Sequence, residues 1–352
     1  MALLTYKNCS IDALYATVPK NVIDNITYTK YFDSQIVAEI VEKTGIIQRR
    51  FAPESMCASD LCYDAAKRLL DELNIPKSDI GLLIFISQTP DYRMPATSVI
   101  LQNKLGLSTS TAAFDINLGC SGFVYGLSIA YGMMQGGNFK YALILDGETR
   151  SRVYSPKDKK TAFLFGDGGI AALVRYDKSS NASLFSLNSD GSREDYIKMD
   201  AGGYRNPSSI ATLQEKVVDE YGNIRSDEHG YMNGTDVFNF LLNEIPKDIK
   251  NILLFAKMEI QDIDYFVFHQ ANAFMNGYLQ KKLKLPTIKL PSCIHKYGNT
   301  SSVSIPLTLA HHFENSIINS ENILLSGFGV GMSWASAVLN INDCKVGKIG
   351  EI

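Results

Sequence analysis

Cys120 stands in FDINLGCSGFVYG (114–126), between an apolar run and an amphipathic one. A thiol in such a place fits two roles, a small buried spacer or a nucleophile. AAFDINLG (112–119) reads as a strand and turn, and SGFVYGLSIAYGMM (121–134) carries apolar residues at helical spacing. Cys120 therefore falls at or near a helix N-terminus, where unpaired N–H groups and the helix dipole favour a thiolate. His269 directly follows IDYFVF and precedes QANAFMNGYLQKKL, a second strand-to-helix junction. Asn299 lies in HKYGNTSSVSIPLTLA, where Gly-Asn-Thr fits either a plain N-cap or a polar site residue. The turn within SGFGVGMSWA (326–335) is either a tight hairpin or a set of exposed N–H donors for an oxyanion. The remaining histidines are weaker candidates. His311 and His312 are adjacent on a helix and point apart, His229 lies in a loop-like stretch, and His295 lacks a strand-end setting.

The elements that must position these groups alternate. GLLIFIS (81–87), KYALILDG (140–147), DYFVFHQ (264–270) and NILLSGFG (322–329) read as strands covered on both faces. Helical periods fall at 59–74, 121–136, 272–284 and 301–315, which indicates α/β layers. The chain also repeats itself. FGDGGIAALV at Phe165 resembles FGVGMSWASAVL at Phe328, and IFISQT (84–89) resembles FVFHQA (266–271). In the same frame the Cys120 segment falls opposite the Asn299 segment. Two halves are expected, 1–177 with Cys120 and 178–352 with His269 and Asn299, with residues 188–230 as an insertion in the second. Ligands gather at the carboxyl ends of parallel strands. A pseudo-twofold packing would bring Cys120, His269, Asn299 and the 327–331 turn together there.

Composition narrows the setting. The 352 residues are 45% hydrophobic and 20% charged, enough for a large core and unlike a disordered chain. A net charge of -3 and a pI near 6.0 give no global case for nucleic acid or an anionic membrane. No run approaches the ~18 apolar residues of a membrane span, and the N-terminus lacks signal-peptide character. The six cysteines are scattered without a CxxC pair, so neither a metal site nor a redox motif is expected. A cytoplasmic protein is the expectation.

GCSGF, FGDG, MNGTDVF, HQAN, YGNTSS and GFGVGMSWA, in that order, with KTGIIQRR (43–50) before them, resemble the thiolase superfamily and within it the ketoacyl synthase III branch. The resemblance spans about residues 43–340. It implies a five-layered α/β/α/β/α fold, an obligate homodimer and a decarboxylating condensation without a cofactor. Cys120 would take an acyl group from acyl-CoA or an acyl carrier protein, and malonyl-carrier protein would then enter, lose carbon dioxide and attack it. His269 and Asn299 would donate hydrogen bonds to the enolate oxygen. The backbone N–H groups of Cys120 and Val330 would hold the second oxyanion. Met94, reaching across the dimer, with Gly329 and Gly331, would shape the substrate pocket, and Lys281 and Lys282 would attract the carrier protein.

The pattern departs from the branch where coenzyme A is gripped. Glu39 stands at an aromatic position, and Lys159 and Lys43 stand at arginine positions. Phe274 replaces a carrier-binding arginine. These departures point to a divergent enzyme loading from a carrier protein or an unusual thioester. A non-condensing acyltransferase or thioesterase on the same fold is the alternative. A papain-like hydrolase, also ordered Cys, His, Asn, lacks its tryptophan after the cysteine, since the single tryptophan is Trp334. A non-catalytic subunit would most simply have lost the nucleophile.

Overall fold

The computed structural model describes residues 2–319 and 321–352. Two mixed sheets carry the molecule. The first orders β2 (Cys9–Val18), β8 (Asp167–Tyr176), β7 (Tyr141–Thr149), β5 (Ile80–Ile86) and β6 (Ala112–Ile116). The second orders β9 (Ser183–Ser189), β17 (Ser333–Ile341), β16 (Glu321–Gly329) and β14 (Tyr265–Phe268). Their pairings repeat as well. β2/β8 and β8/β7 are antiparallel and β7/β5 is parallel. Likewise β9/β17 and β17/β16 are antiparallel and β16/β14 is parallel. The repeat read in FGDGG and FGVGM is thus a repeat of sheet topology.

The termini cross between the halves. β1 (Ala2–Tyr6) pairs with β9 in the second sheet. β18 (Cys344–Val346) and β19 (Gly350–Glu351) pair with β2 in the first, and β15 (Ile317–Ile318) joins β18. The expected division at 177/178 falls in the β8–β9 connection, but the terminal strands do not respect it.

Helices complete a five-layered α/β/α/β/α stack. The middle layer is α4 (Gly122–Gly136) and α9 (Ser304–His312), packed between both sheets. α4 buries Phe123, Val124, Leu127, Ala130, Tyr131 and Met134 around most of its circumference, as a helix between two sheets must. α2 (Ala58–Leu73) and α3 (Thr97–Lys104) cover the outer face of the first sheet. α2 shows the ordinary amphipathic pattern: Leu61, Ala65 and Leu69 face inward while Lys67 and Asp71 pair in solvent. α6 (Gly234–Ala256) and α7 (Ala273–Leu283) cover the second sheet. Among the described residues no helix is long and apolar enough to cross a membrane.

Short elements close the cleft. α1 (Ser34–Thr44) lies between the paired strands β3 (Val22–Asp24) and β4 (Gln48–Arg50), and α8 (Ile294–Tyr297) precedes Asn299. The expected insertion folds into the pairs β10 (Ile197–Lys198)/β13 (Tyr231–Met232) and β11 (Lys216–Val217)/β12 (Ile224–Arg225), with α5 (Ile210–Leu213). Two sequence expectations shift. The strand at 264–270 stops at Phe268, so His269 and Gln270 leave the sheet. The helix at 301–315 breaks into a single tight turn, Ser301–Val303, before α9, because Ser301 is left-handed at φ 57.

Candidate active site

Cys120 sits just ahead of α4, whose N-cap is Ser121. A 2.6 Å bond between the hydroxyls of Ser121 and Ser333 ties this corner to the start of β17. The backbone N–H of Val330 donates to the Cys120 sulfur. Gly329 lies against the same sulfur so closely that an added Cβ would collide with it. Gly331, at φ 134, turns the chain after Val330.

His269 is placed by the sheet it has just left. Its N–H still donates to Ser326 O at 2.9 Å, extending the β14/β16 ladder by one bond. Its side chain is buried, and Nδ1 meets Ser304 Oγ at 2.7 Å. Ser304 Oγ also accepts the Gln270 N–H at 3.2 Å, so its own proton is available to Nδ1. With Ser304 donating to Nδ1, the imidazole proton is assigned to Nε2, toward the cleft.

Asn299 is anchored by its backbone, which bonds Leu164 O at 2.8 Å and accepts from the Gly166 N–H at 3.1 Å. Its Oδ1 accepts the Ser301 N–H at 2.9 Å. The amide NH2 is therefore the end offered to a ligand. The left-handed Ser301 makes this local bond possible.

Burial pushes the Cys120 thiol up, but the charge and hydrogen bond of His269, the Arg150 guanidinium and the Val330 N–H more than offset it. The result is a thiol lowered to about 7. Other cysteines show burial acting largely unopposed: Cys9 is pushed up to about 11 and Cys293 to about 12. Cys120 alone among the described cysteines is shifted toward the thiolate.

Cys120, His269, Asn299, Gly329 and Val330 line one cleft of about 580 Å³, counted to its mouth. Its walls are mostly apolar, including Leu164, Phe165, Phe240, Phe328 and Met332. Ile197, from the insertion, and Met232, just after it, also line it. Gly331 does not, which corrects its expected pocket role: with Val330 and Met332 facing inward, it is the turn residue between them. Met94 is 74% exposed and stands off the cleft of its own chain. Lys281 and Lys282 are exposed on the last turn of α7, and Lys282 Nζ donates to Leu242 O at 2.7 Å. Glu39, Lys43 and Phe274 surround a separate shallow concavity, and Phe274 packs on Phe238 at 5.3 Å. Lys159 Nζ lies 5.1 Å from the Tyr221 ring centroid.

Sequence reasoning missed Ser304 and Arg150. Ser304 lay unremarked among the serines after Asn299. Arg150 had a usable signal, a charged residue just past the carboxyl end of a buried strand.

Comparison with known proteins gives a consistent result. Residues 114–191 match the family model described as 3-oxoacyl-[acyl-carrier-protein (ACP)] synthase III, and residues 253–341 match the model for its C-terminal part. The beta-ketoacyl-[acyl-carrier-protein] synthase III of Fusobacterium nucleatum is 33% identical over 92% of this chain and 95% of its own. That of Clostridioides difficile is 36% identical over 92% and 95%. A solved 3-oxoacyl-(acyl-carrier protein) synthase from Burkholderia xenovorans superposes with a TM-score of 0.93 at 36% identity, covering 100% of this chain and 99% of that one.

Proposed function

The chain belongs to the 3-oxoacyl-[acyl-carrier-protein] synthase III family, and from that premise we propose that it is an acyltransferase catalysing a decarboxylative Claisen condensation. The sulfur of Cys120 attacks the carbonyl of an acyl thioester, and the donor's C–S bond breaks as its thiol leaves. A malonyl thioester, on acyl carrier protein, then enters the emptied arm of the cleft. Loss of carbon dioxide leaves an enolate, whose carbon attacks the acyl-Cys120 carbonyl and releases the sulfur. The reaction uses thioester substrates and no cofactor.

The observation that carries this reading is the placement of donors. His269 Nε2 and the Asn299 amide NH2 face the cleft beside Cys120, each fixed from behind by its own hydrogen bond. That pair suits an enolate oxygen, whose charge grows as carbon dioxide departs. One preorganised donor of this kind is typically worth about 3 kcal/mol of the barrier. The N–H groups of Val330 and Cys120 suit the oxyanion formed at the acyl carbonyl. The apolar walls exclude water and strengthen each of these interactions.

The wider assignments follow from the same reading. The enzyme works as a homodimer in which Met94 closes the partner's acyl pocket. Lys281 and Lys282 help dock an acidic carrier protein. Six free cysteines suit a reducing, cytoplasmic setting.

Mass spectrometry of the intact protein tests the proposal. Acyl thioesters are added first, then malonyl-carrier protein. The expected result is an acyl mass gain absent in Cys120→Ala, followed by release of a product two carbons longer. Acyl transfer to water or another thiol without malonyl consumption would establish the non-condensing alternative instead.

A further inference from the structure

One cleft residue enters the chemistry above only through space, by lowering the Cys120 thiol. Arg150 follows β7 and is 7% exposed, yet its guanidinium faces the cleft that holds Cys120. Nη2 donates to Tyr154 Oη at 2.8 Å, and Nη1 has a long contact with Gln88 Oε1 at 3.4 Å. Nε is buried with no acceptor. Tyr154 and Phe165 stack 3.9 Å apart, and the guanidinium carbon lies 5.3 and 5.6 Å from their centroids.

Arg150 makes no ion pair among the described residues. Glu148 acts on it through space, but its two oxygens accept from the Gln88 N–H at 3.1 Å and from Thr89 Oγ1 at 3.0 Å. An always-charged group buried without a contacting counter-ion is costly, and an apolar residue would fill the space more cheaply. Glu148 and the Cys120 thiolate favour that charge through space, but acylation removes the thiolate's charge, and a ligand carboxylate would replace it.

We propose that Arg150 selects acyl groups whose far end carries a carboxylate, so that Cys120 is loaded with an ω-carboxyacyl chain of the succinyl or glutaryl type. This rests on the acyl-transfer reading above and names its substrate class. In the loading step the new S–C bond forms at the thioester carbonyl and the donor's C–S bond breaks. The distal carboxylate is unchanged and stays on Arg150. The extender's carboxylate is a poorer match. It must leave as carbon dioxide, and a guanidinium holding it would stabilise the ground state against that loss.

The test uses the full chain and mass-detected loading. Succinyl and glutaryl thioesters compete with butyryl and valeryl thioesters of the same carbon number, each on coenzyme A and on carrier protein. Iodoacetamide alkylation of Cys120 is followed in parallel. The wild type should load the carboxyacyl donors at least about tenfold faster than the alkyl ones. Arg150→Leu should reverse the preference, moving the ratio by roughly a hundredfold, because an unpaired carboxylate then replaces a matched one. Arg150→Lys, which keeps the charge, should retain the carboxyacyl preference in part. A wild-type preference for alkyl donors, followed by condensation with malonyl-carrier protein, would overturn this inference and leave the condensing reading intact. So would an Arg150→Leu variant slowed equally toward every donor and iodoacetamide, since Arg150 would then act only on the thiolate. No loading from any donor, with Cys120 still alkylated, would overturn both.

Discussion

Cys120 depends on its neighbours for its ionisation, which makes the thiol a reporter of the site. Alkylation should rise with pH through an inflection near 7, where a free thiol would show one near 9.0. In His269→Ala the inflection should move upward, because burial then acts with less opposition. A pH-rate profile with iodoacetamide measures both. The sign for stability follows. A thiol lowered on folding contributes stability that is fully present above its unfolded value and is lost as pH falls through about 7. Asn299 does not touch the thiolate balance, so Asn299→Ala should still acylate while decarboxylation falls by about 10²–10³. Equal loss of both steps in single-turnover assays would contradict that division. Gly329→Ala should cripple loading without unfolding the chain, because the new methyl occupies the space of the sulfur; circular dichroism and loading mass separate the two effects. Cys120, His269 and Asn299 were legible because each marks a strand or turn end beside a helix. Ser304 was not, and Arg150 only by its place past a buried strand, because which side chains face a shared cleft is decided by packing between distant segments.

At the scale of elements, the site is held by two helices caught between sheets. α4 presents Cys120 at its start and anchors itself with fully buried side chains such as Leu127. Leu127→Ala should cost about 2–5 kcal/mol, read as a lower midpoint in denaturant. α9 begins at the residue that supports His269, so the broken helix at 301–303 has a use. An unbroken helix from Ser301 would have held Ser301 and Ser304 at a fixed 100° per residue. The left-handed Ser301 instead lets Asn299 bond the Ser301 N–H while Ser304 reaches His269. Periodicity in the sequence located the helix but could not reveal this break, since serines satisfy their backbone locally in either form. Ser304→Ala should shift the alkylation profile of Cys120, with far-UV circular dichroism unchanged, because its effect passes through the imidazole.

For the whole molecule, the duplication was the most legible feature. Matching Phe-Gly-x-Gly turns lead into β8 and β17, which hold the same place in two sheets of the same order. The exchanged ends were not legible, because strands of five, three and two residues carry no periodic pattern. One sheet edge has a further meaning. β6 pairs with β5 on one side and is only partly covered in the single chain, as an edge reserved for a partner would be. Sedimentation should therefore give twice the 38.9 kDa chain mass at micromolar concentration, and a monomer would refute the dimer. The crossed termini bear on how the chain comes to exist at all. As it leaves the ribosome, β1 waits for β9, which is made some 180 residues later. β2 in turn keeps an open edge until β18 and β19 have emerged from the exit tunnel. Neither sheet is complete until β17 has been made, and the first waits also for β18 and β19. Chains stalled with β17 still in the tunnel should be protease-sensitive in both halves, and emergence of residues 344–351 should complete their protection.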